Sequence, residues 1–196
     1  MKNVVLTGIG GQGTVLAAKV LAQAAQNRGW QVRTAETIGM AQRGGSVVSH
    51  VRMGDGGERV HAPLRSTGQA DALIAFEPGE AARIAHLLKP EGVLVSASRV
   101  VQPVTASLSK EVYEAAPVIA ALQARPGRTV IVDEAPLLAE AGSSKVLNMV
   151  LLAAAVETDA IGIALDELKD AVRACVKPRF VDMNIAAIDA AAASVS

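Results

Sequence analysis

The chain has 196 residues, 51% of them hydrophobic and only 2% aromatic, and its 19 basic residues balance 19 acidic ones. That length suits a single domain with a sizeable core, residues 1–196, and the zero net charge lacks the basic footprint of a nucleic-acid binder. One cysteine, Cys175, excludes an internal disulfide and a cysteine-ligated zinc or iron–sulfur site built by this chain alone, and no apolar run approaches the roughly 20 residues that span a bilayer.

Val4 to Leu6 is a short apolar run reaching Thr7 and Gly8; Gly10, Gly11 and Gly13 then bracket Gln12 before an alanine-rich segment opens at Thr14. This is the pattern of a strand, a tight turn and a helix. Met1-Lys2-Asn3 lead straight into the strand without the apolar region and cleavage site of a signal peptide, so a cytoplasmic protein is expected. Val15, Ala18, Leu21, Ala22 and Ala25 recur at helical spacing up to a stop at Asn27-Arg28-Gly29. Trp30 to Glu36 reads as a second strand, and the right-handed crossover predicts that it pairs parallel with the first.

Thr37 to Gly45 is a loop without periodicity, feeding the alternating β-run Ser46 to Met53. Gly54-Asp55-Gly56-Gly57 is a turn signal, after which Arg59-Val60-His61 is expected to return as a short hairpin strand. Ala70 to Phe76 is a buried strand; Pro78 sits early in a following helix that carries Ala81, Ile84, Ala85 and Leu88 inward. Gly92 to Ser96 is another strand, and Pro103 confines the irregular run from Val100 to Ser107 to an edge. A helix from about Ser109 to Ala124 is expected to break near Pro117. A strand at Thr129 to Val132 and a short helix around Pro136 to Ala141 follow. Three more helices are predicted at Val146 to Val156, Leu165 to Cys175 and Arg179 to Ala193. The expected fold is α/β: a Rossmann-like, mostly parallel sheet flanked by helices, with a β-hairpin excursion and a helical C-terminal layer.

The glycine turn invites two readings. Gly8, Gly10 and Gly13 satisfy G-x-G-x-x-G, and Glu36 closes the second strand where an acidic residue binds ribose hydroxyls, as in a stand-alone NAD(P)-binding protein or dehydrogenase. The plainer alternative is a turn that only lets helix and sheet pack closely. In Gln42-Arg43-Gly44-Gly45, an arginine beside two glycines presents a guanidinium where backbone N–H groups approach an anion; an ordinary loop with a solvated arginine is the alternative. Gly54-Asp55-Gly56 resembles the start of a thiamine diphosphate signature, but the next asparagine after Asn27 is Asn148, too far to complete it. His50, His61 and His86 lack metal-ligand spacing, no catalytic nucleophile motif appears, and Cys175 among apolar helix positions reads as an inert thiol. No catalytic residue and no metal ligand is therefore assigned.

Three stretches taken together go further: Thr7-Gly8-Ile9-Gly10-Gly11-Gln12-Gly13-Thr14, then Gly39-Met40-Ala41-Gln42-Arg43-Gly44-Gly45-Ser46 with its strand, then Ala70 to Pro78. They closely resemble the gamma-type subunit or domain of the 2-oxoacid:ferredoxin oxidoreductases, with the nearest likeness to the small (beta) subunit of the indolepyruvate enzymes. The likeness runs through Asn148 and Lys177-Pro178-Arg179-Phe180 to Asn184. It implies a subunit, inactive alone, of a hetero-oligomeric oxidoreductase that decarboxylates a 2-oxoacid such as indolepyruvate with coenzyme A. The products would be an acyl-CoA, carbon dioxide and electrons for ferredoxin. Thiamine diphosphate, magnesium and iron–sulfur clusters would belong to a large partner subunit. A homodimer contact between two copies of this chain is a separate expectation, since zero net charge does little to prevent association. This chain would shape the coenzyme A side of the site through Gln42, Arg43, Gly44, Gly45 and Ser46, with Gly10, Gly11, Gln12, Gly13 and Thr14 as a second segment. A purely structural subunit whose turn binds nothing is the third expectation to be tested.

Overall fold

The computed structural model describes residues 1–39, 44–64, 66–102 and 113–195. Six strands form one mixed sheet: β1 (Lys2–Ile9), β2 (Gln31–Ile38), β3 (Ser46–Gly54), β4 (Ala70–Ala75), β5 (Leu88–Ala97) and β6 (Thr129–Val132). Their order is β2-β3-β1-β4-β5-β6. β1, β4, β5 and β6 pair parallel, whereas β3 runs antiparallel to both of its neighbours.

The expected parallel pairing of the first two strands is corrected here. β2 shares β1's direction, but β3 is inserted between them, with Leu6 opposite Ser49 and Ser49 opposite Glu36. Burial decides the order. Val47, Ser49, Val51 and Met53 of β3 are buried, which suits an inner strand, while β2 carries exposed Arg33, Thr34, Glu36 and Thr37 and takes the edge. The hairpin excursion is thus β2–β3. Arg59 to His61 form no strand, because β3 already has both edges paired.

Helix α1 (Thr14–Asn27) packs its buried alanines and Leu21 against one face of the sheet, with Val4, Leu6, Val51 and Met53 beneath. Helices α2 (Pro78–Ile84) and α3 (Ala115–Gln123) cover the opposite face over Val5, Leu73 and Leu94. Pro117 lies in the first turn of α3, where a missing N–H costs no helical bond, so it does not break the helix. The residues expected at the start of that helix, 109–112, lie outside the described residues, as do 103–107. Leu88 does not belong to the preceding helix: a 3₁₀ turn at Ala85–Leu87 ends it and Leu88 opens β5, pairing with Ala70.

Helix α4 (Glu134–Glu140) follows β6, and α5 (Leu147–Val156) is buried on every side from Asn148 to Val156. It lies between the sheet and α7 (Val181–Val195), while α6 (Leu165–Cys175) packs on α1. An apolar run that is hydrophobic all round must be enclosed, and this one is sandwiched between layers. No helix among the described residues is long and apolar enough to cross a membrane.

One consequence positions the site. α1 leaves β1 toward one face and α2 leaves β4 toward the other. Adjacent parallel strands whose helices depart to opposite faces open a crevice at their C-terminal ends, where ligands of α/β sheets bind.

Candidate functional site

At that crevice β1 runs into the glycine turn. Gln12 N donates to Ile9 O at 3.1 Å, while its side-chain Oε1 accepts from Ile9 N at 2.7 Å and Nε2 donates to Phe76 O at 3.0 Å. The carboxamide therefore ties the end of β1 to the end of β4. Gly8 leaves room for this brace: a Cβ there would fall 2.7 Å from Gln12 Oε1 and 2.9 Å from Phe76 Cβ. Gly11 has φ +99° with open space above it, and Gly13 has φ +85°. Both are left-handed positions that favour glycine. α1 then starts without a side-chain cap, which leaves its first N–H groups to other partners.

The loop between β2 and β3 is pinned at its base by Gly39 N donating to Ser46 O at 2.7 Å. Gly10 N donates to Gly45 O at 2.9 Å, so the fold joins the two glycine segments that are remote in sequence. Gly44, Gly45 and Ser46 stand beside the turn, whereas Gln42 and Arg43 lie outside the described residues.

On the α2 side a cleft of about 520 Å³ opens between Gly44, Ser46, Glu77, Glu80, Arg83 and Tyr113. Its acids are buried: Glu77 is 3% exposed and Glu80 7%. Glu77 caps α2, its Oε2 accepting from Glu80 N at 2.8 Å, and its Oε1 accepts from Val101 N at 3.4 Å. Ser46 Oγ donates to Glu80 Oε2 at 2.5 Å. Burial pushes the Glu77 carboxyl above the ordinary carboxylate range, against the N–H groups of Glu80, Val101 and Gly79 that favour its charge; the neighbouring Glu80 adds to the rise. Burial also raises the Tyr113 phenol, with help from both acids. Gly79 makes space for that phenol, since a Cβ there would meet its oxygen.

On the other side of the Gln12–Phe76 brace lies a cleft of about 400 Å³, lined by Gly11, Arg99, Gln102, Ser144 and an apolar wall including Leu138 and Leu147. The connection that carries Arg99 is held by carboxylates. Glu134, 3% exposed, accepts from Ser98 N at 2.9 Å and Ser98 Oγ at 3.0 Å through Oε2, and from Arg99 N at 3.2 Å through Oε1. Gln102 exchanges hydrogen bonds with the backbone of Tyr113, accepting from its N at 3.3 Å and donating to its O at 2.7 Å.

Sequence reasoning did not single out Glu77, Glu80, Arg99, Tyr113 or Glu134. A signal existed for the first: an acidic residue directly at the end of a fully apolar strand, followed by proline, marks a carboxylate delivered to the crevice. The dinucleotide reading loses its acid. Glu36 lies on the edge strand, with β3 between it and β1, about 10 Å away at the usual strand spacing. Among the described residues no group of three or more His, Cys, Asp and Glu is arranged to hold a metal ion. Burial raises the Cys175 thiol, which disfavours the reactive thiolate.

Comparison with known proteins gives this geometry a context. The family model for pyruvate ferredoxin/flavodoxin oxidoreductase matches residues 3–194. The indolepyruvate oxidoreductase subunit IorB of Pyrococcus horikoshii is 35% identical over 189 residues, covering 95% of this chain and 92% of that protein. The gamma subunit of a keto/oxoacid ferredoxin oxidoreductase from Geobacter sulfurreducens superposes with a TM-score of 0.73 at 24% identity, covering 100% of this chain and 98% of the other. A 2-oxoglutarate:ferredoxin oxidoreductase from Magnetococcus marinus, solved with 2-oxoglutarate, coenzyme A and succinyl-CoA bound, superposes at TM-score 0.70 and 19% identity; all of this chain matches 31% of that longer one. At these identities the two structures share the fold.

Proposed function

Because the chain belongs to the pyruvate ferredoxin/flavodoxin oxidoreductase family, we propose that it forms the coenzyme A side of the active site in an indolepyruvate-type 2-oxoacid:ferredoxin oxidoreductase. The chain is a subunit of a 2-oxoacid:ferredoxin oxidoreductase complex. In this reading the reaction joins a 2-oxoacid and coenzyme A, releases carbon dioxide and sends electrons to ferredoxin. A larger partner subunit carries the thiamine diphosphate, magnesium and clusters that perform the carbonyl and redox chemistry. This chain contributes surface and donors.

The observation that carries the reading is the Gly10 N to Gly45 O hydrogen bond, which brings Gly10–Thr14 and Gly44–Ser46 together at the C-terminal end of β1 between two clefts. Backbone N–H groups at an uncapped helix start, with open space over Gly11, fit a phosphate-bearing ligand. Gln12 contributes by holding the turn, and Gln42 and Arg43 are assigned to the same ligand from their place in the sequence beside Gly44. The preference for an aryl 2-oxoacid rests on the 35% identity to the indolepyruvate subunit.

Co-expression with the large subunit and assay of coenzyme A-dependent dye reduction tests the role. Activity is expected only from the pair; equal activity from the large subunit alone overturns it. Arg43→Ala is expected to raise the KM for coenzyme A about 10-fold, the size of one lost charge-assisted contact. An unchanged KM removes Arg43 from the site.

A further inference from the structure

We propose that Glu80 is a positioning residue for the coenzyme A side of the site, acting through the Ser46 hydroxyl to hold Gly44–Ser46 against the glycine turn. The inference rests on the coenzyme A reading and adds a residue from α2, outside both glycine segments.

The C-terminal end of β4 sends out two consecutive residues, and each braces one of those segments. Phe76 O accepts from Gln12 Nε2 at 3.0 Å, which ties down the turn after β1. Glu77 caps α2, its Oε2 accepting from Glu80 N at 2.8 Å. The cap fixes the first turn of α2, and from that turn the Glu80 side chain reaches back to Ser46, its Oε2 accepting from Ser46 Oγ at 2.5 Å. That length lies in the range of a hydroxyl–carboxylate hydrogen bond, which is stronger than one between neutral groups.

Ser46 is the point where this pull takes effect. It opens β3 opposite Ile9, the last residue of β1. Its carbonyl accepts from Gly39 N at 2.7 Å, and the preceding Gly45 carbonyl accepts from Gly10 N at 2.9 Å. Glycines supply all of these backbone contacts, and glycine restrains its own backbone least. A side-chain anchor is what fixes where Gly44 and Gly45 stand, and Ser46 is the first residue after that pair with a side chain to provide one.

Burial gives the anchor its strength. Glu80 is 7% exposed, so its carboxylate does not freely exchange the Ser46 hydroxyl for water. Its other oxygen lies 3.4 Å from Arg83 Nε on the same helix, a contact that offsets charge within α2. Ser46 is the contact that carries Glu80 across to another element.

Steady-state kinetics of the complex assembled with its large subunit tests the role, with the KM for coenzyme A and for the 2-oxoacid measured separately. The variants are Glu80→Ala, Glu80→Gln, Ser46→Ala and the Glu80→Ala/Ser46→Ala double. Glu80→Ala is expected to raise the KM for coenzyme A about 10-fold, the size of one lost charge-assisted hydrogen bond, and to leave that for the 2-oxoacid within about twofold. Glu80→Gln keeps an acceptor for Ser46 Oγ and recovers part of the loss. The double variant matches Ser46→Ala, because Glu80 then has nothing to hold. Lys89→Ala, which breaks the Lys89–Asp71 ion pair at the opposite end of the sheet, is the destabilised control: it melts lower with both KM values unchanged.

An unchanged coenzyme A KM in Glu80→Ala beside a raised one in Arg43→Ala overturns the proposal and leaves the coenzyme A reading standing. An equal rise in both KM values overturns it too, as do effects of Glu80→Ala and Ser46→Ala that simply add. An unchanged coenzyme A KM in Ser46→Ala is equally fatal, and that result is read even if Glu80→Ala does not fold. A wild-type complex that turns over without coenzyme A overturns the proposal and the reading together.

Discussion

Asn148, on the enclosed helix α5, lies directly beneath Gly13, 135 positions earlier, and its Nδ2 donates to the Gly13 carbonyl at 3.4 Å. The asparagine's Oδ1 accepts from Met149 N at 3.0 Å, so the side chain is held from both ends. A Cβ on Gly13 would fall 2.7 Å from that Nδ2. The turn is therefore shaped from below by a residue remote from it in sequence.

Gly13→Ala meets two obstacles, a left-handed backbone and the Asn148 amide. The backbone alone costs about 1–2 kcal/mol, and the contact adds to it. Asn148→Ala relieves only the contact, so the double variant should lose less stability than the sum of the two singles. Urea denaturation of the four proteins checks this cycle; strict additivity would show that the side chains do not meet.

Gln12→Ala strips Ile9 N and Phe76 O of their partners at the crevice. Each unsatisfied group costs about 1–3 kcal/mol where water does not replace the lost bond. Gln12→Glu keeps an acceptor for Ile9 N but sets a carboxylate against the Phe76 carbonyl, so both variants should be destabilised. Thermal melts read the loss, and a Gln12→Glu protein as stable as wild type would contradict the brace.

Glu77 yields a pH prediction. Burial raises its folded-state pKa above the ordinary 4.5, so the folded protein holds this proton more tightly than the unfolded chain. Stability from this group is then greatest below pH 4.5 and falls as pH rises through the raised value. Glu77→Gln cannot ionise and keeps an oxygen to cap α2. The variant should therefore gain on wild type between pH 4 and pH 8, in denaturant melts at those two values. An identical stability difference at both would refute the buried charge.

Local pattern made much of this fold legible. The helical spacing from Val15 to Ala25 and the apolar run Ala70 to Phe76 became α1 and β4 within a residue or two. The strand order was not legible, because alternation in β3 states which side chains are buried but not which strand lies on either side. Leu147–Val156 shows no amphipathic stripe, and its enclosure by sheet and α7 followed only from packing.

The candidate site divides in the same way. The glycines of the turn and the Gly44-Gly45 pair announce themselves in sequence, since left-handed backbone and close approach require residues without a Cβ. The family is legible there too, from short motifs whose residue types and spacing are jointly specific. What the tertiary structure alone decided is how the turn is used: Gln12 turns inward as a brace, Asn148 supports Gly13, and a cleft opens on each side of the brace, one walled by buried Glu77 and Glu80 and the other by Arg99 and buried Glu134. The physical reason is that charge and hydrogen-bond partners act through distance in space. Glu77 reaches Val101 and Glu134 reaches Arg99 only after the strands between them have paired.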